Sequence, residues 1–217
     1  MNIMDVRLAI FDLDGTLLNT IADLGAACNV ALEYFGFPVH ELYEYPRLVG
    51  NGVNKLLERA LPDGEKTEDN IMRLREVFVS YYDNHNTIMT KPYEGVPAVL
   101  KQLKRQHYML AVASNKYQSA AKKIVEHYFP NIFDLILGER NGCPRKPDPQ
   151  IVYDIVSTLP HASATFYIGD SDVDIQTAQN AGLPVVACAW GFCKKEDLLN
   201  SKPDYIIQQP EELLRIL

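Results

Sequence analysis

The chain has 217 residues, 47% hydrophobic and 23% charged, and this composition is typical of a globular protein that buries its own core. The net charge of −7 argues against a nucleic-acid binder or a protein of anionic membranes, because both need a basic surface. Four cysteines occur without metal-site or C-x-x-C spacing, and the N-terminus lacks the layout of a signal peptide. We therefore expect a cytoplasmic protein with reduced thiols that binds neither nucleic acid nor membrane.

Short apolar runs that end in polar turns predict buried parallel strands. Such runs occupy residues 6–11, 108–113, 134–137, 165–168, 184–189 and, more briefly, 205–207. Apolar residues at helical spacing lie between the later runs, at 96–103, 117–128 and 151–159. This alternation predicts an α/β fold, a Rossmann-like parallel sheet with helices on both faces.

Residues 20–88 interrupt the alternation. Helical patterns cover 24–35, 53–60 and a longer stretch, 71–85, whose apolar face we assign to Ile71, Leu74, Phe78, Tyr81 and His85. Convincing strand patterns do not occur there. We therefore predict an inserted α-helical cap at 19–89 and an α/β catalytic core formed by 1–18 and 90–217.

Polar residues that follow the predicted strands are the candidates for a site, because ligands of open parallel sheets bind beyond the carboxyl ends of the strands. Asp12 and Asp14 follow the first strand, and Gly15 allows a sharp turn after them. Two carboxylates this close repel each other unless they share a cation, and Mg²⁺ prefers such ligands. The alternative is a plain turn with Asp12 as a helix cap.

The second and third strands are followed by groups that suit a phosphoryl ligand. Ser114 and Asn115 offer a hydroxyl and backbone amides at an expected helix start, which would form an anion site, although simple N-capping explains them as well. Lys146 precedes Pro147 and Pro149, which stiffen its loop. A solvated lysine in a proline-rich turn is the alternative.

Three acids at alternating positions, Asp170, Asp172 and Asp174, follow the fourth strand and again indicate a metal. The glycine and distal glutamate of an EF-hand loop are missing, so calcium is disfavoured. Each of these signals is weak or moderate by itself. Together they predict one pocket that holds Mg²⁺ and a phosphoryl group.

These motifs, in this order, resemble the haloacid dehalogenase superfamily in its phosphatase branch. The Asp12–Leu17 segment, D-L-D-G-T-L, resembles the first motif, Ser114 the second, Lys146 the third, and Gly169-Asp170 with Asp174 the fourth. The resemblance implies that Asp12 is a nucleophile that forms an aspartyl phosphate and that Asp14 is the general acid and base. It further implies that Ser114 and Lys146 hold phosphoryl oxygens.

The same resemblance supplies a ligand set for Mg²⁺: Asp12, the backbone carbonyl of Asp14, and Asp170. Asp174 is implied as a further ligand or as an outer-shell partner. Asp172 we interpret as a solvated acid. The expected partner is a small phosphorylated metabolite, and the expected assembly is a monomer or a homodimer.

The inserted helices are similar to the cap of the phosphoglycolate phosphatase group. This likeness rests on the segments 48–53 and 56–61, with Trp190-Gly191 in the core. It makes Asn51 and Lys55, with Asn54, candidates for contact with a substrate carboxylate, although a polar cap surface explains them too. Phosphoglycolate is therefore the first substrate to test.

Three other functions fit parts of the pattern. A dehalogenase of the superfamily would need neither the metal nor Asp14. A phosphosugar mutase keeps all four motifs and differs mainly in its cap. A non-enzymatic signalling domain that accepts a phosphoryl group on aspartate would need neither an acid at position 14 nor a large cap.

Overall fold

The computed structural model describes residues 6–159 and 162–217. The strands are β1 Arg7–Phe11, β2 Leu18–Asn19, β3 Lys91–Pro92, β4 Met109–Tyr117, β5 Leu135–Glu139, β6 Ala164–Gly169, β7 Val185–Cys188 and β8 Tyr205–Ile207. The α-helices are α1 Ile21–Tyr34, α2 Val53–Ala60, α3 Glu68–His85, α4 Val96–Arg105, α5 Gln118–Tyr128, α6 Gln150–Thr158, α7 Asp172–Asn180, α8 Lys195–Asn200 and α9 Leu213–Ile216. Two 3-10 helices cover Leu42–Arg47 and Pro210–Glu212.

The larger sheet contains six strands in the order β5-β4-β1-β6-β7-β8. Neighbouring strands in this sheet are parallel, with β1 paired to β4 on one side and to β6 on the other. The chain builds one half of the sheet through β4 and β5 and then crosses over to build the other half. This reversal beside β1 is a topological switch point, the usual place for a ligand in such sheets.

Alternate residues of the strands face opposite sides of the sheet, as the pleat requires. Ala9 and Phe11 join a cluster with α4, α5 and α9, whereas Leu8 and Ile10 join a cluster with α6, α7 and α8. Helices therefore cover both faces, which explains why the strands carry buried apolar residues on both sides of the sheet. The predicted α/β fold, with an inserted helical segment, is confirmed.

Strand β4 runs further than the pattern indicated. The apolar run ends at Ala113, but the extended backbone continues to Tyr117, with a register shift against β5 between these two residues. The helix that we expected at Tyr117 begins at Gln118. Ser114 and Asn115 consequently lie on an irregular strand end and not at a helix start.

The described residues separate into two compact units. One runs to Leu18 and resumes at Pro92, and the other is Asn19–Lys91. Between residues 20 and 90, all of which the structure describes, the regular elements are helical. None of the helices among the described residues is long and apolar enough to span a membrane.

The long helix of the second unit buries Leu74 and Phe78 as expected, but the buried face continues through Tyr82. Leu74, Phe78 and Tyr82 are buried along α3, four residues apart. We had assigned Tyr81 and His85 to this face, and they instead stack on each other with ring centroids 4.0 Å apart. Because both residue 81 and residue 82 are aromatic, the sequence allows the apolar face of the helix to continue through either one. Packing against α1 and α2 buries Tyr82.

The buried carboxylate of Asp23, on α1, fastens the end of this unit. Its oxygens accept hydrogen bonds from the backbone N–H groups of Met89 (3.0 and 3.1 Å) and Thr90 (2.9 Å). Two backbone donors that lie far along the sequence are thereby satisfied by one side chain. Leaving such donors unpaired is costly inside a protein.

Replacing Asp23 by Ala should lower the free energy of unfolding by about 1–3 kcal/mol, because the two amides lose their acceptor. Asp23→Asn keeps one acceptor oxygen and should lose less. Urea unfolding followed by circular dichroism measures both. Glu33→Ala, on the exposed side of the same helix, is the control and should stay within about 0.5 kcal/mol of the wild type. An Asp23→Ala curve that overlays the control would contradict this role.

Candidate active site

Side chains from four strand ends meet at the carboxyl edge of the sheet. Asp12 directly follows β1, Ser114 lies near the end of β4, Lys146 lies in the loop after β5, and Asp170 directly follows β6. All four are buried, at 7%, 2%, 5% and 2% exposed. The strand order brings together residues far apart in sequence, as predicted for parallel strands.

Lys146 lies at the centre of this group. Its Nζ donates to Asp12 Oδ1 and to Asp174 Oδ1, each at 2.7 Å. The Ala113 carbonyl at 2.9 Å and the Tyr167 hydroxyl at 3.1 Å also lie within hydrogen-bond distance of its three N–H groups. The ammonium is thus held in one place by four oxygens, two of which are charged.

Asp174 is engaged through both of its oxygens. Oδ1 accepts from Lys146 and from the Tyr167 hydroxyl at 3.2 Å. Oδ2 accepts from the N–H and the hydroxyl of Ser171, at 3.1 and 2.5 Å, and Ser171 caps α7 in return. This carboxylate therefore fixes Lys146 from the start of a helix.

Asp170 is clamped between two loops. Its Oδ1 accepts from the Thr16 hydroxyl at 3.0 Å, and its Oδ2 accepts from the Phe192 N–H at 2.8 Å. Gly15 has a φ of +93°, and a Cβ built there would lie 2.2 Å from Asp170 Oδ2. Only glycine fits this turn, both for its backbone angle and for the space that the carboxylate takes.

Asp12, Asp170 and Asp174 form the one acidic triad suited to a metal ion among the described residues, each offering an oxygen within 4.8 Å of the others. Burial, assisted by the charge of Asp174, raises the pKa of Asp12 to about 7, although Lys146 counteracts the rise. Burial, with the charges of Asp174 and Asp12, raises the pKa of Asp170 well above its usual range. The three carboxylates repel one another in their charged forms.

Lys146 offsets only part of this negative charge. Burial would lower the pKa of its ammonium, but the carboxylates of Asp12 and Asp174 raise that pKa well above its usual range. When all three carboxylates are ionised, one ammonium leaves two negative charges in a buried site. A divalent cation with oxygen ligands fits both the donor set and the charge, so the residues present suit Mg²⁺.

Asp14 pairs with a different lysine. Lys116 Nζ donates to both oxygens of Asp14, at 3.0 and 2.9 Å. The Lys116 side chain is 3% exposed and that of Asp14 is 21% exposed. The two acids of the first motif thus have separate cationic partners.

The side chains of Ser114 and Asn115 form hydrogen bonds with backbone groups of the two lysines. The Ser114 hydroxyl accepts from the Lys116 N–H at 3.2 Å. The Asn115 amide exchanges two hydrogen bonds with the backbone of Lys146, at 2.9 and 3.2 Å. The Asn115 side chain therefore positions the lysine loop.

The candidates in the second unit lie near α2. Arg59 donates to the carbonyls of Leu48 and Val49 at 3.0 Å and to Asn51 Oδ1 at 2.6 Å, so it organises this loop. Lys55 pairs with Glu58 at 2.8 Å. Their contact with a substrate stays a prediction.

Several contributing residues gave no signal in the sequence. Tyr167 lies within an apolar strand run. Thr16 and Lys116 lie in segments where the sequence pattern singles out neighbouring residues. Thr16 and Lys116 each hydrogen-bond to a partner more than 100 residues away in the sequence. Asp172, expected to be solvated, is exposed.

Comparisons with known proteins agree with this geometry. A sequence model described as haloacid dehalogenase-like hydrolase matches residues 9–188. The chain is 32% identical to a phosphoglycolate phosphatase of Aquifex aeolicus over 215 residues, which cover 98% of this chain and 97% of that relative. It is 30% identical to a phosphoglycolate phosphatase of Aliivibrio fischeri, with 98% and 97% covered. A solved structure from Lactobacillus delbrueckii subsp. bulgaricus has a TM-score of 0.91 and 33% identity, with 98% of each chain covered.

The match to the family spans well over half of the chain. The protein therefore belongs to the haloacid dehalogenase-like hydrolases. The superfamily resemblance drawn from the four motifs is confirmed.

Replacing Gly15 by Ala should weaken Mg²⁺ binding about 10- to 100-fold, because the new methyl group displaces Asp170. Isothermal titration with MgCl₂ measures the affinity. Gly142→Ala is the matched control, since Gly142 also has a positive φ of +77° but no atom lies within 4 Å of its added Cβ. Both variants should lose some stability through backbone strain. Equal affinities in the two variants would contradict the crowding argument.

Proposed function

We propose that this protein is a Mg²⁺-dependent phosphatase that hydrolyses a small phosphate monoester through an aspartyl phosphate on Asp12. The observation that carries the proposal is the buried Asp12 carboxylate, which contacts Lys146 within a triad of acids suited to a divalent cation. The family and the named activity of the two curated relatives support the same chemistry.

Asp12, Asp170 and the backbone carbonyl of Asp14 are the groups that would hold the ion. Asp174 already binds three donor groups besides the ammonium of Lys146, so we assign it to positioning that lysine. When bound, Mg²⁺ would relieve the repulsion between the nucleophilic carboxylate and the phosphate dianion.

The chain's own residues divide the reaction between them. The Asp12 carboxylate attacks phosphorus and forms the acyl phosphate as the bond to the leaving oxygen breaks. Ser114 and Lys146 hold phosphoryl oxygens while charge develops. Asp14 gives a proton to the leaving oxygen and then takes one from the water that releases phosphate from Asp12.

The substrate proposed first is 2-phosphoglycolate. The relatives' names and the similarity of the inserted helices support it, but the core chemistry acts on the phosphoryl group whatever the leaving group is. A phosphosugar mutase would use the same core and is separated by its product. The cytoplasmic location and the monomeric or homodimeric state stay predictions.

Asp12→Asn should reduce turnover by at least about 10³-fold, because the amide cannot form the acyl phosphate. Phosphate release by the purified variant is the measurement. Asp172→Asn, which changes an exposed acid at the first position of α7, serves as the control and should retain activity. More than a trace of turnover by Asp12→Asn would exclude Asp12 as the nucleophile.

Removal of divalent cations should abolish phosphate release, because the acidic triad then repels the phosphate. The assay uses a panel of phosphate monoesters that includes 2-phosphoglycolate, with MgCl₂ or with EDTA. A marked preference for 2-phosphoglycolate supports the substrate proposal. Broad activity would refute that preference and leave the phosphatase class. Transfer of phosphate within a sugar, without release, would favour the mutase.

A further inference from the structure

The pair formed by Lys116 and Asp14 has a geometry that neither the family motifs nor the proposed steps use. Both oxygens of Asp14 accept from one ammonium, at 3.0 and 2.9 Å. A carboxylate on a glycine turn can rotate about its side-chain bonds, and a two-point contact selects one orientation. A proton donor has to stay within hydrogen-bond reach of the oxygen that it serves.

Lys116 is itself rigidly placed. Its side chain is 3% exposed, and its N–H donates to the Ser114 hydroxyl at 3.2 Å. Its carbonyl packs against β5, where a Cβ at Gly138 would lie 2.5 Å away. The Lys116 ammonium is therefore held by a buried side chain at the end of β4.

The two lysines divide the charges of the site. Lys146 contacts Asp12 and Asp174, whereas Lys116 contacts Asp14. Asp12 and Asp14 are two residues apart, and without separate partners they would compete for the same ammonium. The second lysine gives the Asp14 carboxylate a cationic partner of its own.

We propose that Lys116 is the positioning residue for Asp14, holding it in the orientation in which it transfers protons; this inference rests on the proposed phosphatase function. As the bond from phosphorus to the leaving oxygen breaks, the Asp14 carboxyl proton passes to that oxygen. The carboxylate left behind lies against the Lys116 ammonium. The same carboxylate then accepts a proton from the attacking water.

A double-mutant cycle tests whether Lys116 acts through Asp14. Lys116→Met keeps the length of the side chain and removes the charge, and it should lower kcat/KM about 10²-fold on the best ester of the panel. In an Asp14→Asn background the same change should lower kcat/KM less than about threefold, since the group to be positioned is gone. Equal losses in both backgrounds would overturn the proposal.

The leaving group supplies a second readout that a purely structural role would not move. The leaving group of 4-nitrophenyl phosphate departs with little help from an acid, so Lys116→Met should lose less than about tenfold in kcat/KM on this ester. Lys116→Arg keeps a charged donor and should recover at least about tenfold on the best ester relative to Lys116→Met. A loss that is the same on both esters would overturn the proposal.

Lys104 provides a matched control. It also donates to both oxygens of an aspartate, Asp134, at 2.8 Å, but Asp134 immediately precedes β5 and so lies at the opposite end of the strands. Lys104→Met should leave the dependence on the leaving group as in the wild type. Thermal unfolding of every variant separates loss of structure from loss of positioning. The Asp14→Asn/Lys116→Met double variant removes both charges of the pair, so it leaves neither of them buried without its partner.

Failure of this inference differs from failure of the proposed function. A wild type that hydrolyses no ester would overturn both. An Asp14→Asn variant with full activity would overturn the proton-transfer role of Asp14 and this inference with it, and would leave the phosphatase class standing. An active wild type with an impaired Asp14→Asn variant and a Lys116→Met variant of wild-type activity would overturn the role of Lys116 alone.

Discussion

The contact of one buried ammonium with two buried carboxylates is the constraint on which the rest of the site depends. Lys146 is almost fully removed from water, and burial alone would favour its neutral form. Asp12 and Asp174 keep it charged, and it in turn makes their proximity tolerable. Removing any one partner would leave an uncompensated buried charge, which is far more costly than losing an ordinary hydrogen bond. The site is therefore fixed as a unit and not residue by residue.

The order of the strands is what makes this unit possible. Because β1 lies between β4 and β6, the first carboxylate has a neighbouring strand end on each side. One neighbour leads to Ser114 and Lys116, and the other leads to Asp170 and the start of α7. The inserted helical unit begins at Asn19 and ends at Lys91, and neither residue belongs to the six-stranded sheet. An insertion there leaves the register of the core strands unaffected.

Sequence reasoning succeeded where the signal is local. Buried parallel strands are apolar runs, and the residue after each run is a candidate for the site, so Asp12 and Asp170 could be found without coordinates. It failed where two local patterns were equally good, as at Tyr81 and Tyr82, because packing against other helices decides between them. The extension of β4 past Ala113 gave no local signal either, since the strand passes through polar residues before Tyr117 pairs with Glu139 of β5.

Choice of partner was beyond any local pattern. Nothing in the sequence around Lys116 indicates that its partner is a carboxylate 102 residues earlier. Yet that contact gives Asp14 surroundings unlike those of Asp12, although only one residue separates the two acids. Asp12 lies among acids and one shared ammonium, whereas Asp14 has an ammonium across both its oxygens and reaches solvent. Two identical side chains can therefore take the roles of nucleophile and proton carrier because their neighbours differ.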